Sequence, residues 1–252
     1  MEEKLTSGVS QLDNMLEGGL YRGSNILVRG GPGAGKTTFG LQYLIAGCRE
    51  GEKTLYLTFE ESKEQILRYG SRFFPDIRQF AKDQRMIMLD FSPHSRTRSN
   101  TRLIEGEKVE IPDPQVVDSI AYIEDKILDI RGQSIQRVVI DGLQTFATTF
   151  YDISEKKDMD ELRRTVSKIM VLLKDSNATT YILSEESEND CNKYDFVNYV
   201  VDGVVSLKSN PSLDVRTLKI EKMRGVKHTL KPITMELKEG SGISIAASNK
   251  GI

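Results

Sequence analysis

A glycine-rich segment holds the residues best suited to chemistry in this 252-residue chain. Residues 30–37 read GGPGAGKT and fit the pattern G-x-x-x-x-G-K-[ST], in which glycines let backbone N–H groups turn towards phosphate oxygens. Lys36 can reach the terminal phosphates of a nucleotide, and the Thr37 hydroxyl can bind Mg²⁺. The pattern therefore predicts a nucleotide site formed by Gly31, Pro32, Gly33, Ala34, Gly35, Lys36, Thr37 and Thr38.

Carboxylates end two other apolar segments. Asp141 closes RVVID, where it could hold Mg²⁺ through water, and Glu60 and Glu61 close TLYLTFEES. The carboxyl ends of parallel strands meet at the edge of the sheet where ligands bind. Glu60 is therefore the candidate base that orients a water and accepts its proton, and Glu61 could tune it through like-charge repulsion. In the alternative interpretation, both acids only favour the start of the next helix.

Strands and helices that alternate along the chain would position these groups. Buried strands are predicted over 24–29, 54–59, 86–91, 137–141 and 179–184, with the strand over 54–59 beside the phosphate-loop strand. Helices are predicted over 36–50, 116–130 and 159–174, and another begins after Ser62, whose capping box uses Gln65. The last strands, over 200–207, 215–222, 233–237 and 243–246, predict an antiparallel extension.

The predicted fold is therefore an α/β domain over 1–252, with a mostly parallel central sheet flanked by helices. Residues 92–115 have no clear period and contain three prolines, which indicates a long surface loop or insertion. Lys+Arg is 35 and Asp+Glu is 37, so net charge gives no general attraction to nucleic acid or acidic membranes. With no long apolar run and no signal-peptide start, we expect a cytoplasmic protein without a membrane span.

Four segments together resemble the KaiC family, a branch of the RecA-type ATPases. They are residues 7–38, TFEES, RVVIDGL and the segment KMRGVKH near the carboxyl end. The resemblance implies a RecA-like P-loop fold and Mg²⁺-dependent ATP hydrolysis, with Lys36 and the paired glutamates Glu60 and Glu61 as catalytic residues. One departure is Gly142, which follows Asp141 where the family often carries Ser.

The same resemblance implies a ring, usually a hexamer, with ATP bound between subunits. Lys222, Arg224 and His228 of one subunit would then reach the phosphates held by its neighbour. Lys222 and Arg224 alternate along a predicted strand and should point the same way. Alternatively, they are two solvated cations on an exposed strand.

Four functions stay open. The first is an oligomeric ATPase whose slow hydrolysis acts as a regulatory or signal-transduction switch for protein partners. The second is a DNA-binding recombination mediator, which the acidic run over 185–190 disfavours, although Arg96, Arg98 and Arg102 form a basic cluster. The third is an autokinase, although Asn198 and Tyr199 stand where self-phosphorylating relatives carry Ser and Thr. The fourth is an ATP-binding module with negligible turnover.

Overall fold

The structure is a computed structural model, and it describes residues 3–92, 101–104, 107–110, 123–125, 128, 133–186 and 194–245. The predicted helix over 116–130 lies mostly outside these residues, although 123–125 and 128 are helical. The predicted loop over 92–115 also lies largely outside them. The described part of this predicted loop or insertion contains two short antiparallel strands, which pair Thr101 with Glu110 and Ile104 with Glu107.

The described residues form strands β1 (Lys4–Leu5), β2 (Leu20–Tyr21), β3 (Asn25–Gly30), β4 (Lys53–Thr58), β5 (Met86–Asp90), β6 (Thr101–Ile104), β7 (Glu107–Glu110), β8 (Ile135–Asp141), β9 (Thr179–Glu185), β10 (Gly203–Asn210), β11 (Val215–Met223), β12 (Ile233–Lys238) and β13 (Gly242–Ile245). Nine of them form one sheet in the order β13-β12-β11-β10-β3-β9-β8-β4-β5. From β10 to β5 every pair is parallel, and β11, β12 and β13 continue the sheet antiparallel.

The helices of the described residues are α1 (Ser10–Met15), α2 (Lys36–Arg49), α3 (Lys63–Phe73), α4 (Ile77–Lys82), α5 (Leu143–Phe150), α6 (Lys156–Asp175) and α7 (Phe196–Val200). None of these helices is both long and apolar enough to cross a membrane. The mostly parallel sheet with an antiparallel extension was predicted and is confirmed. The capping box at the start of α3 is also present, with the Ser62 side chain accepting from the backbone of Gln65.

Two details of the predicted sheet are wrong. The strand predicted over 200–207 is not antiparallel to its inner neighbour, because β10 runs parallel to β3 and only its outer pairing, with β11, is antiparallel. The short helix α7 precedes β10, and its five residues are too few to show a helical period. In addition, β4 does not lie beside β3, since β9 and β8 lie between them. Helix α2 packs on β8 and β4, and it takes the chain from β3 across the two intervening strands to β4.

Apolar side chains cover both faces of the sheet and fix the helices that carry the site. On one face, Tyr43 of α2 stacks on Tyr181 of β9 with ring centroids 4.1 Å apart, and Phe39 stacks on the same ring at 5.2 Å. On the other face, Phe146 of α5 and Val166 of α6 belong to a second buried cluster. The first residues of α2 and α5 are therefore held at the carboxyl edge of the parallel strands.

Arg137 is fully buried near the start of β8. Its guanidinium pairs with the carboxylates of Glu52 and, at 2.8 Å, Glu50. It also donates to the carbonyls of Thr6 at 2.8 Å and Tyr43 at 3.2 Å. These partners offset part of the desolvation cost of the buried charge, and they join the amino end of β8 to the other segments that they come from.

Candidate functional site

The glycine-rich loop connects β3 to α2 and has the shape of an anion cradle. Gly33 and Gly35 have φ angles of 70° and 99°, in the left-handed region that favours glycine. A Cβ added at Gly31 or Gly33 would meet nothing within 4 Å, so this part of the loop is open to a ligand. Ala34 is fully buried and anchors the loop, and the N-terminal end of α2 supplies its positive dipole. These features fit a bound phosphate.

Lys36 and Thr37 begin α2 at the same edge of the sheet. The Lys36 ammonium donates to the carbonyls of Gly30 at 2.8 Å and Gly31 at 3.1 Å, so its side chain folds back along the loop. The Thr37 hydroxyl donates to Oδ2 of Asp141 across 3.4 Å. The structure thus brings together the two residues that the sequence predicts as magnesium ligands. The other predicted nucleotide residues lie in the loop and the first turn of α2, and they include Pro32 and Thr38.

Asp141 ends β8 and is only 3% exposed. The hydroxyl of Tyr56 donates a hydrogen bond to its Oδ2, the same oxygen that Thr37 contacts. Burial raises the pKa of Asp141 to about 7, and the negative charges of Glu60 and Glu61 act in the same direction. The Tyr56 hydrogen bond and the charge of Lys36 oppose this shift of the pKa. A cation bound nearby would stabilise the ionised form of this carboxylate.

The donor set at this edge fits a magnesium ion with a nucleotide. Thr37 and Asp141 offer hard oxygen ligands, which Mg²⁺ prefers. The described part of the chain contains no group of three or more His, Cys, Asp or Glu side chains that could hold a metal ion. A metal bound here would therefore take further ligands from phosphate oxygens and water, as Mg²⁺ commonly does.

Glu60 follows β4 and lies over the turn that begins α5. A Cβ added at Gly142 would be 2.7 Å from Cγ of Glu60 and 3.3 Å from its Oε1. Burial raises the pKa of Glu60, and the charge of Lys36 opposes the shift. Glu185 and Glu61 add smaller contributions that raise this pKa further. The predicted tuning by Glu61 is thus present but is not the main cause.

Glu61 has different surroundings, because it is tied to α3. The Thr58 hydroxyl donates to the backbone carbonyl of Glu61 at 2.7 Å. Burial and the nearby Glu61 carboxylate raise the pKa of Tyr69, which belongs to α3. The backbone N–H of Lys63 also donates to Asp90 at 2.9 Å, which fixes the start of that helix on β5. Of the two glutamates, Glu60 is therefore the one that lies over the magnesium-side turn.

The predicted trans residues lie at the opposite edge of the sheet. The pairing of β3 with β10 and of β10 with β11 places Gly30 and Leu218 at the same height along the strand direction. Arg224 follows Leu218 by six residues. At about 3.3 Å per residue, Arg224 is about 20 Å along the strand direction from the level of the phosphate loop. Lys222 is on the same side of that level, and His228 follows beyond β11. These cations do not meet the phosphate loop of their own chain.

Lys222 and Arg224 instead contact the residues around the end of α7. The Lys222 ammonium donates to the carbonyls of Asn198 and Val201, each at 2.7 Å. The Arg224 guanidinium donates to the Asp202 carboxylate at 3.2 Å. Burial lowers the pKa of Lys222, and the neighbouring charge of Arg224 adds to this effect. Both cations therefore contact the segment around the end of α7, at the edge of the sheet opposite to the phosphate loop.

The sequence interpretation missed three residues of the candidate site. Tyr56 bonds Asp141, and Tyr69 lies near the Glu61 carboxylate. Gln144 of α5 donates to the Ser184 hydroxyl at 2.7 Å and to the Glu185 carbonyl at 2.6 Å. A hydroxyl-bearing ring in the apolar strand TLYLT was a usable signal, because a buried phenol needs a partner. No pattern in the sequence singles out Gln144.

The residues relevant to nucleic acid are only partly described. Arg96 and Arg98 lie outside the described residues, and Arg102 lies in β6. Of the acidic run over 185–190, Glu185 and Glu186 are described, and a carboxylate oxygen of Glu186 lies 4.0 Å from Nε of Arg29. The described end of this run is acidic, as the sequence indicates.

Comparison with known proteins gives consistent findings. The profile of the family described as "ATPase: KaiC" matches residues 5–250. A UPF0273 protein of Aeropyrum pernix is 27% identical over 241 residues, which cover 94% of this chain and 91% of the relative. The circadian clock oscillator protein KaiC of Prochlorococcus marinus is 30% identical over 235 residues, or 90% of this chain, but only 42% of that protein's length is matched.

The fold also matches a solved structure. The crystal structure of a KaiC-like protein from the archaeon Pyrococcus horikoshii aligns with a TM-score of 0.75 at 23% identity. The alignment covers 98% of this chain and 100% of that chain. This likeness extends over the whole parallel sheet and its antiparallel extension.

Proposed function

Because this chain belongs to the KaiC family of ATPases, a branch of the RecA superfamily, we propose that it binds ATP with Mg²⁺ and hydrolyses it slowly. The observation that carries the proposal is the meeting of Thr37 and Asp141, whose side-chain oxygens are 3.4 Å apart, beside the turn over which Glu60 lies. Residues from three separate segments thus converge on one edge, next to a loop shaped for phosphate.

Each residue has a defined role in this proposal. The backbone N–H groups of residues 31–35 and the start of α2 bind the phosphates, and Lys36 turns from the loop carbonyls to the terminal phosphate. Thr37 would hold Mg²⁺ directly and Asp141 would hold it through water, and the bound ion would neutralise phosphate charge. Glu60 orients the attacking water and accepts its proton, a task for which a raised pKa is suited. Glu61 supports Glu60 electrostatically.

We also propose that the active form is a ring, such as a hexamer, in which Lys222, Arg224 and His228 act on the nucleotide of the adjacent subunit. This is supported by their position at the edge opposite to their own phosphate loop. A cation supplied by a neighbour would stabilise the negative charge that develops during phosphoryl transfer. It would also make hydrolysis depend on assembly, which suits a regulatory switch that acts on protein partners. Most of the described strands share one sheet, which supports a single-domain subunit.

The direct test is phosphate release by the purified protein with Mg²⁺ and with excess EDTA. We expect slow release that requires Mg²⁺ and is lost together with ATP binding in Lys36→Ala. Lys53→Ala is the matched control, because Lys53 is an exposed lysine at the amino end of β4, away from the loop. Equal release by wild type and Lys36→Ala would contradict the proposal.

A further inference from the structure

Tyr56 lies in the middle of β4, is fully buried, and donates a hydrogen bond to the carboxylate of Asp141. We propose that Tyr56 is a positioning residue that holds this carboxylate in one orientation for magnesium, through its hydroxyl rather than through its ring. The proposal rests on the proposed function, because it concerns the metal that would accompany ATP at the same edge.

The pairing of β4 with β8 explains why Tyr56 can reach Asp141. Tyr56 is opposite Val139, and Thr58 is opposite Asp141, so Tyr56 and Asp141 are diagonal neighbours on the same face of the sheet. Diagonal neighbours in a sheet have Cα atoms roughly 7–8 Å apart, which only long or aromatic side chains can bridge. The phenol ring spans this gap along the sheet and presents its hydroxyl to the end of β8.

The bond restricts the carboxylate in a way that would matter for a metal. Tyr56 and Thr37 both contact Oδ2 of Asp141, one from within the sheet and one from α2. Because two hydroxyls bond the same oxygen from different sides, together they restrict the rotation of the carboxylate. Without the phenol, the carboxylate would lose a charge-assisted hydrogen bond and could rotate about its Cβ–Cγ bond. Hydrogen bonds to metal ligands commonly orient them in this manner.

Packing alone does not explain a tyrosine at this position. The ring is surrounded by the apolar cluster on the α2 face, where phenylalanine would fill almost the same volume. A buried hydroxyl is costly unless it has a hydrogen-bond partner, and here the partner is an acid at the candidate metal site.

Tyr43 provides a matched comparison in the same cluster. It is also fully buried, but its hydroxyl donates to the backbone carbonyl of Thr179 at 2.9 Å, near the amino edge of the sheet. Removal of this hydroxyl takes away one buried hydrogen bond without touching Asp141. The pair of variants Tyr56→Phe and Tyr43→Phe therefore separates a role in metal binding from a role in stability.

The experiment measures the affinity of the full chain for a fluorescent ATP analogue as a function of Mg²⁺ concentration. Loss of a hydrogen bond to a metal ligand typically weakens metal binding by about 10- to 100-fold, so Tyr56→Phe should need that much more Mg²⁺ for half-maximal tightening. Its affinity in EDTA should stay at the wild-type value, and Tyr43→Phe should keep the wild-type Mg²⁺ dependence. Asp141→Asn, which removes the carboxylate itself, sets the maximum effect.

The outcomes distinguish this inference from the proposed function. If wild type tightens with Mg²⁺ and Tyr56→Phe follows the same curve, the positioning role is wrong and the proposed function stands. If wild type shows no Mg²⁺ dependence, both are wrong. Should Tyr56→Phe fail to fold, 3-fluorotyrosine placed at position 56 keeps the hydroxyl and reports by ¹⁹F NMR. Its resonance should shift when Mg²⁺ joins the nucleotide, with the same label at position 43 unchanged, and no shift at 56 would overturn the inference.

Discussion

A Cβ on Gly142 would lie 2.7 Å from Cγ of Glu60, which is closer than a Cβ approaches a non-bonded carbon in folded proteins. The φ angle of Gly142 is 95°, so the backbone also favours glycine there. Gly142 therefore leaves the space in which the Glu60 side chain lies over the end of β8. A side chain at this position, such as that of serine, would force Glu60 to take another path.

Gly142→Ala should therefore lower turnover while nucleotide binding stays near the wild-type value. The left-handed backbone conformation alone should cost about 1–2 kcal/mol of stability. Gly51→Ala is the control, because Gly51 has a φ angle of 84° but no atom within 4 Å of an added Cβ. It should lose similar stability and keep full turnover. Phosphate release and thermal unfolding measure the two effects, and equal turnover of both variants would show that Glu60 does not depend on Gly142.

Glu60→Gln should bind ATP as wild type does and lose most of its turnover, because the amide cannot accept a proton from water. Removal of a general base typically lowers the rate by about 10²- to 10⁴-fold. Glu64→Gln, an exposed acid in the first turn of α3, is the control and should be active. Phosphate release under single-turnover conditions is the measurement. If Glu61→Gln is inactive and Glu60→Gln is not, the roles of the two glutamates must be exchanged.

Arg224→Ala should depress hydrolysis and spare nucleotide binding, since Arg224 lies far from the phosphate loop of its own subunit. Mixing this variant with Lys36→Ala should restore part of the activity, because some interfaces then combine an intact loop with an intact arginine. Phosphate release across a series of mixing ratios is the measurement. The absence of any recovery in mixed rings, with mixing verified by native mass spectrometry, would contradict action in trans.

Asp141→Asn should stabilise the ligand-free protein near neutral pH. The folded state raises the pKa of Asp141 from 3.8 to about 7, so between these values the folded protein holds more protons and its stability falls as pH rises. Each pKa unit corresponds to about 1.4 kcal/mol, which gives a gain of about 2–4 kcal/mol for the variant above pH 7. The gain should shrink towards pH 4, as measured by denaturant unfolding. A gain that does not vary with pH would show that Asp141 ionises normally.

Element types and the phosphate loop were readable from the sequence, because they depend on local patterns. The capping box of Ser62 and Gln65 and the amphipathic helix α6 follow from residue spacing that any surface helix must satisfy. The apolar run before Asp141 predicted a buried strand with an acid at its end, as observed.

The order of the strands and the contacts across the sheet could not be derived in this way. Apolar periodicity does not distinguish a strand beside β3 from one three positions away, so β4 was assigned to the wrong place. The contact of Tyr56 with Asp141 depends on the register between β4 and β8, and that of Glu60 with Gly142 on the turn after β8. Both contacts can be identified only when the folded sheet is known.

The arrangement of Glu60 relative to the γ-phosphate is tested most directly by a crystal structure of the full chain with Mg²⁺ and a non-hydrolysable ATP analogue. We expect a Glu60 carboxylate oxygen about 3 Å from a water that lies in line with the γ-phosphate, and Asp141 on the magnesium side. A Glu60 side chain turned away from that water in every subunit would contradict the proposed hydrolysis.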